Sequence, residues 1–193
     1  MYIGEQFNAL TVSHAIIGEH IKAGDLCIDA TAGRGGDTAY LCSLVGQSGH
    51  VIAFDIQDEA IASTAKLLEE KKLSDIAELH TESHCNMGNY AEKGTVSCIT
   101  FNFGWLPQGN HKIFTLAETS IKAIETGLGL LRCGGLMSLC IYYGRENGYG
   151  ERDALLDYFK TIDYRKYSVL VSQFVNRPNC PSIPVFIRKE CKE

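Results

Sequence analysis

The sequence predicts an α/β fold: a mostly parallel seven-stranded sheet, covered by helices on both faces and closed by an antiparallel C-terminal hairpin. Three observations predict it. Apolar strand-like runs alternate with helix-like segments along the chain, the order that builds parallel sheets. Residues 25 to 55, DLCIDATAGRGGDTAYLCSLVGQSGHVIAFD, read as strand, glycine-rich turn, helix and a second strand ending on an acid. The last two apolar runs are joined by NRPNCPSI, and eight residues cannot hold a crossover helix, so those two strands pair antiparallel.

Residues 9 to 25, ALTVSHAIIGEHIKAGD, place Leu10, Ala15, Ile17 and Ile21 at near-helical spacing and close on Gly24, a helix leading into the first strand. His14 and His20 lie on it as helix residues, with His14 able to approach the site from above the sheet. HVIAFDIQ is the second strand. DEAIASTAKLLEEKKL follows as a helix begun by Asp58, with Lys71 and Lys72 near the end that the helix dipole favours for cations. AELHTES and VSCITFNFG are strands three and four. FTLAETSIKAIETGLGLLR is a helix terminated by Cys133-Gly134-Gly135, and LMSLCIYYG is strand five. ERDALLDYFKTI makes another helix, and YSVLVSQFV and PVFIRK are the hairpin strands.

With 193 residues, 45% hydrophobic and 21% charged, the composition fits one domain over residues 1–193. No apolar run approaches the roughly 20 residues that span a membrane. The segment MYIGEQFNAL lacks the basic and apolar regions of a signal peptide, so a cytoplasmic protein is expected. The eight cysteines (27, 42, 85, 98, 133, 140, 180 and 191) are scattered without a C-x-x-C pair, which predicts reduced thiols and no metal site. Cys27, Cys98 and Cys140 fall inside strands as small core hydrophobes. A formal charge of -5 argues against broad nonspecific nucleic-acid binding but leaves room for a local basic patch. Arg34, Lys112, Arg145, Arg152, Arg165, Lys166, Arg177, Arg188 and Lys189 are spread over the chain and read mainly as solvated surface.

In open α/β sheets, ligands sit beyond the carboxyl ends of the strands. Four such ends carry useful chemistry: Asp29 to Gly35, Asp55 to Gln57, Glu82 to His84, and Asn102 to Pro107. Glycines in Gly33-Arg34-Gly35-Gly36-Asp37-Thr38 let backbone come close to a ligand. Asp55 follows Gly35 at about the twenty-residue interval from which an acid accepts hydrogen bonds from ribose hydroxyls. Thr38 stands where the third glycine of G-x-G-x-x-G belongs, which disfavours a dinucleotide. Asp29 would repel a pyrophosphate and suits a cationic ligand.

The turn resembles the first motif of S-adenosylmethionine-dependent methyltransferases. The resemblance puts the amino-acid end of S-adenosyl-L-methionine against Asp29, Thr31, Ala32, Gly33, Gly35, Asp37 and Thr38. It puts the ribose and adenine against Asp55, Ile56, Gln57, Glu82, Ser83 and His84, with Asn102 beside the cofactor. Asn102-Phe103-Gly104-Trp105 resembles the Asn-Pro-Pro-Tyr type motif of amino-directed methyltransferases, in which the Asn oxygen and a neighbouring carbonyl accept hydrogen bonds from the amine.

Together, DATAGRGGDT, SHCNM at 83 to 87, NFGWLPQGNHK, the glycine pair before strand five and YYGRENGYGERDAL resemble the putative rRNA methylase family, which includes the YtqB-like tRNA enzymes. The resemblance covers about residues 9 to 189. It implies a Rossmann-like class I methyltransferase that converts 5-aminomethyl-2-thiouridine at the tRNA wobble position to its 5-methylaminomethyl form. A tRNA anticodon stem-loop is the implied partner, no membrane or metal is implied, and a homodimer is allowed. Asn102 and the Phe103 carbonyl would orient the amine, Gly104 would adjoin it, Trp105 would stack on the base, and His84 would accept a proton. Lys112, Arg145 and Arg177 would hold phosphate, with Asn176 to Pro181 on the substrate rim. The family loop reads closer to N-x-G-Y-L-P-G-G-D-K. Trp105, Gln108, Asn110 and His111 depart from it here, and Arg145 stands where His is common. Two other classes remain open: a small-molecule methyltransferase, and a noncatalytic cofactor-binding or RNA-binding module.

Overall fold

A computed structural model describes residues 7–105, 114–144 and 148–191. Its strands are β1 Leu26–Asp29, β2 His50–Asp55, β3 Ala77–Thr81, β4 Val96–Phe103, β5 Leu131–Ile141, β6 Tyr167–Val171 and β7 Ile183–Lys189. The helices are α1 Ala9–His20, α2 Gly36–Val45, α3 Asp58–Glu70, α4 Ala117–Leu130 and α5 Gly148–Phe159. The sheet order is β3-β2-β1-β4-β5-β7-β6, and β7 runs antiparallel to both of its neighbours. This is the predicted fold, with the reversed strand inserted between β5 and β6.

Side chains alternate across the pleat, so successive residues of each strand enter different layers. Cys27, Val51, Cys98, Leu136 and Phe186 pack with Ile17, Leu41 and Leu68 on one face. Ile28, Ile52, Ile99, Met137 and Ile187 pack with Ile124, Leu128 and Leu155 on the other. Burial on both faces explains why these strands read as continuous apolar runs.

Three boundaries depart from the sequence reading. α4 ends at Leu130, and Leu131 already pairs with Val96, so Cys133-Gly134-Gly135 lies inside β5 instead of capping a helix. The register shifts between Val96 and Cys98, and Gly134, at φ 71°, supplies the bend. α5 starts at Gly148, three residues before the predicted Glu151. α3 begins at Asp58, as predicted, and Gln57, whose own N–H is held by Asp55, is its N-cap. β6 ends at Val171, so the connection to β7 is longer than predicted.

The cysteine reading needs one correction. Cys133 and Cys191 form a disulfide, tying β5 to the segment after β7. They lie 58 residues apart, and only the β5–β7 pairing brings them together. Cys27, Cys98 and Cys140 are buried free thiols, as predicted, Cys42 is a fourth, and burial pushes Cys27 up to about 12.

Candidate active site

Four predicted strand ends meet in one cavity of about 240 Å³. Ala30, Thr31 and Gly33 come from the end of β1, Asp55, Ile56 and Gln57 from β2, Glu82, Ser83 and His84 from β3, and Asn102, Gly104 and Trp105 from β4. Phe114, Thr115, Leu116 and Thr119 close the far wall.

The first loop is built by backbone. Ala30 N–H bonds Thr100 O, Ala32 N–H bonds Phe54 O, and Gly35 N–H bonds Ala32 O, each at 2.8 to 2.9 Å. Gly35 precedes α2 as its N-cap at φ 83°, and a Cβ there would come within 2.9 Å of the Thr64 backbone. Only glycine meets both conditions. Asp55 ties this loop to β2: Oδ2 accepts from Gly33 N–H and Oδ1 from Gln57 N–H, both at 3.0 Å. A carboxylate has about four acceptor positions, so Asp55 keeps capacity toward the cavity, matching the vicinal diol of a ribose.

Asp29 does not line the cavity. It is fully buried beneath the loop, with Oδ2 accepting from Thr38 Oγ1 at 2.6 Å and Oδ1 from Thr31 N–H at 3.2 Å. Burial, and then the nearby Asp37 carboxylate, push its carboxyl up to about 7. Ala32, Gly35 and Thr38 are likewise buried supports, and Thr31 reaches the cavity. Thr31 Oγ1 also accepts from Asn102 N–H at 2.7 Å, linking the ends of β1 and β4.

Asp37 holds the Asn102 side chain, its Oδ2 accepting from Nδ2 at 2.7 Å, while its Oδ1 meets His14 Nε2 at 2.7 Å. The His14 ring stacks on Tyr40 at 3.9 Å, and the Tyr40 hydroxyl donates to His14 O. A carboxylate only accepts, so the Asn102 amide must present its nitrogen to Asp37 and keep its oxygen for another donor. The Phe103 carbonyl is used in the sheet, where it accepts from Tyr142 N–H at 2.9 Å, and the Phe103 ring is buried in the core. A carbonyl oxygen has two lone pairs, so this bond leaves the Phe103 carbonyl one acceptor position, while Asn102 Oδ1 is left free by the Asp37 contact.

His84 donates or accepts at Nδ1 against Ala30 O at 3.2 Å, and since a carbonyl only accepts, the proton sits on Nδ1. Burial lowers its pKa, so the ring is neutral at pH 7, and Nε2 is buried without a hydrogen-bond partner. Glu82 is engaged by the Tyr90 hydroxyl and Asn86 Nδ2, and these bonds hold it below the usual carboxylate range.

The stem after β4 is pinned from a distance. Gly104 N–H donates to Thr115 Oγ1 at 2.8 Å, Thr115 N–H donates to Gly104 O at 2.9 Å, and Trp105 pairs with Phe114. The Thr115 hydroxyl donates to Glu151 Oε2 at 2.8 Å, and Ser120 donates to Glu151 Oε1 at 2.7 Å. Glu151 is 6% exposed, and burial raises its pKa. The far wall and Glu151 escaped the sequence reading because lone Thr, Ser and Glu residues in helical stretches carry no motif.

The other substrate candidates fall elsewhere. Arg177 lines a separate concavity, Asn176 is exposed outside the cavity, and Lys112 and Arg145, with Gln108, Asn110 and His111, lie outside the described residues. Of the remaining basic residues, Arg152 lines the same concavity as Arg177, whereas Arg34 pairs with Glu59, Arg165 with Asp163, and Lys189 with the Leu131 carbonyl. No group of three His, Cys, Asp or Glu side chains among the described residues is arranged to hold a metal ion, and no helix there is long and apolar enough to cross a membrane.

Comparison with known proteins agrees with this fold. Residues 51–188 match the family described as "Putative rRNA methylase". The chain is 32% identical over 198 residues to the chloroplastic tRNA (mnm(5)s(2)U34)-methyltransferase of Arabidopsis thaliana, covering 98% of this chain and 72% of that protein. A crystal structure of a putative rRNA-methylase from Clostridium thermocellum is 43% identical, with a TM-score of 0.93 over 96% of this chain and 99% of that one. SMU.1697c, a putative methyltransferase from Streptococcus mutans in complex with SAH, is 30% identical, with a TM-score of 0.86 over 96% and 99% of the two chains. With the family matched across most of the sequence and relatives matched nearly end to end, this chain belongs to the putative rRNA methylase family of S-adenosylmethionine-dependent methyltransferases.

Proposed function

We propose that this methyltransferase acts on a primary amine of a modified uridine at the tRNA wobble position, converting 5-aminomethyl-2-thiouridine to 5-methylaminomethyl-2-thiouridine. The observation that carries the reading is the Asn102 amide, fixed by Asp37 so that its oxygen remains free to accept, at the end of β4 beside Trp105. A relative carrying the name of that tRNA activity supports it. Bound S-adenosylmethionine supplies an electrophilic methyl group. Asp55 and Gly33 would hold its ribose side, Ile56, Glu82, Ser83 and His84 would surround adenine, and Thr31 and Gly33 would face its amino-acid end.

The substrate amine must be neutral, close and in line. Asn102 Oδ1 accepts one amine N–H and thereby turns the nitrogen lone pair toward the methyl group. Trp105, Phe114 and Leu116 give the acceptor base an apolar wall. His84, neutral and occupied at Nδ1, shapes the adenine side and is a weak proton acceptor at pH 7, so the proton shed by the methylated amine goes to solvent. An anticodon-loop base is already single-stranded and can enter without melting a helix.

The test incubates purified protein with S-adenosylmethionine and tRNA bearing 5-aminomethyl-2-thiouridine, followed by nucleoside mass spectrometry. Appearance of the 5-methylaminomethyl nucleoside supports the reading. No such product, with efficient methylation of a free small-molecule amine, replaces it with a small-molecule N-methyltransferase.

A further inference from the structure

A second concavity, of about 480 Å³, opens between the start of α5 and the β6–β7 connection. Tyr143, Tyr149, Arg152, Phe174 and Arg177 line it. The Arg152 guanidinium lies 4.8 Å from the Tyr143 ring centre and 5.1 Å from that of Tyr149, and the Arg177 guanidinium lies 4.2 Å over Phe174. Arg152 also pairs with Asp153 at 2.6 Å, and Arg177 donates to the Phe7 carbonyl. Two cations thus face one lining carboxylate among the described residues, in a chain whose formal charge is -5. Positive charge here is local.

A guanidinium stacked on a ring is held in place, and of its five N–H donors Arg152 commits one edge to Asp153 and Arg177 one group to the Phe7 carbonyl, so each keeps further donors of the kind that recognise phosphate. An exposed aromatic ring offers a face to any base, and Tyr149 is 41% exposed. The concavity is also in register with the acceptor strand. Tyr142 N–H bonds Phe103 O, and a Cβ on Gly104 would come within 3.0 Å of Tyr142 Cβ, so Tyr143 is fixed relative to Gly104. Neighbouring strands lie about 4.8 Å apart, which puts the adjoining ends of β5 and β7 roughly 5 to 10 Å from the end of β4. A nucleotide next to the acceptor reaches that far.

We infer that this concavity is a second binding site, taking the single-stranded nucleotides that flank the acceptor base. A base stacks on Tyr149, and phosphates meet Arg152 and Arg177. The inference rests on the RNA reading above.

Fluorescence anisotropy with a labelled anticodon stem-loop RNA, in the presence of S-adenosylhomocysteine, tests it on the intact protein and on Tyr149→Ala, Arg177→Ala and Tyr149→Phe. The two alanine variants are expected to bind the RNA at least about fivefold more weakly. Arg177→Ala should also flatten the dependence of log affinity on log salt by about 0.7. Tyr149→Phe keeps the ring and should bind like the intact protein. Unchanged S-adenosylhomocysteine affinity by calorimetry shows that each variant is folded. Full RNA affinity in both alanine variants would mean that the cluster is only a structural clamp, overturning the inference while the wobble-amine activity stands. Equal loss in Tyr149→Phe would trace the effect to the 3.2 Å hydroxyl contact with Cys180 and overturn the stacking role. If the intact protein neither binds nor methylates the RNA, the proposed function fails and this site falls with it.

Discussion

Asp37 and Asn102 stand 65 residues apart in the chain and 2.7 Å apart in space, and that contact decides which end of the Asn102 amide a substrate meets. With the nitrogen committed to a carboxylate, the oxygen is the only end left to receive an amine. His14 and Tyr40 hold Asp37 in turn, so the orientation is set by a chain of side chains running from α1 through α2 to the end of β4.

Replacing Asp37 with Asn removes the charge that selects the amide orientation. Single-turnover methyl transfer is expected to fall on the order of ten- to a hundredfold, the effect of misplacing a reacting nitrogen, with S-adenosylmethionine affinity changed less than about threefold. Equal loss in both measurements would make Asp37 a cofactor contact instead.

Asp55→Ala removes the acceptor for two loop N–H groups as well as for the ribose. Hydrogen bonds to a charged group contribute about 1.5 to 3 kcal/mol each, so S-adenosylhomocysteine should bind at least about tenfold more weakly by calorimetry. Unchanged affinity in the folded variant would place the ribose elsewhere.

Glu151→Ala strands the Thr115 and Ser120 hydroxyls and loosens the stem that carries Gly104. Two unsatisfied groups cost about 2 to 6 kcal/mol together, lowering the thermal midpoint by several degrees. Because the proposed cofactor contacts lie at the ends of β1, β2 and β3, methyl transfer at saturating S-adenosylmethionine should fall while cofactor affinity holds. Glu151→Gln, which keeps one acceptor, should lie between the two.

Asp29 makes stability depend on pH. Its folded pKa of about 7 lies above an unfolded value of about 3.9, so the folded protein binds the extra proton between them. Stability is therefore expected to decline as pH rises from about 4 to about 7 and then to level off. Asp29→Asn should abolish that slope in denaturant titrations across the same range. A bound cationic cofactor favours the ionised acid, so its affinity for the intact protein should rise with pH up to about 7.

Those four residues divide according to what a linear sequence can reveal. Asp55 was legible because a strand, a glycine turn and an acid at fixed spacing encode one local unit, and the reversed β7 was legible because its connection is too short for a helix. Asn102 was legible through its resemblance to a known acceptor motif. Asp29 was read as facing a ligand, yet its position at the strand end let Thr38 and Thr31 close over it. The Asp37–Asn102 pairing, the Thr115 wall and Glu151 depend on which helices cross the sheet, information distributed over distant segments. The Cys133–Cys191 pair was hidden for the same reason, since nothing in a 58-residue separation signals that β5 and β7 are neighbours.

The place of β7 also sets a schedule for synthesis. It is the last of the seven strands to be translated, yet it fills an interior position, so β5 and β6 each wait with an open edge until it arrives. Leu136 finds its partner Arg188 only after more than fifty further residues have been made. A nascent chain stopped short of Ile183 carries two unpaired strand edges, a form prone to association with other chains. The strands proposed to hold the cofactor, β1 to β4, and the Phe114–Thr119 wall of the cavity are all made well before then, so the proposed cofactor half emerges from the ribosome ahead of a sheet that closes only at the end.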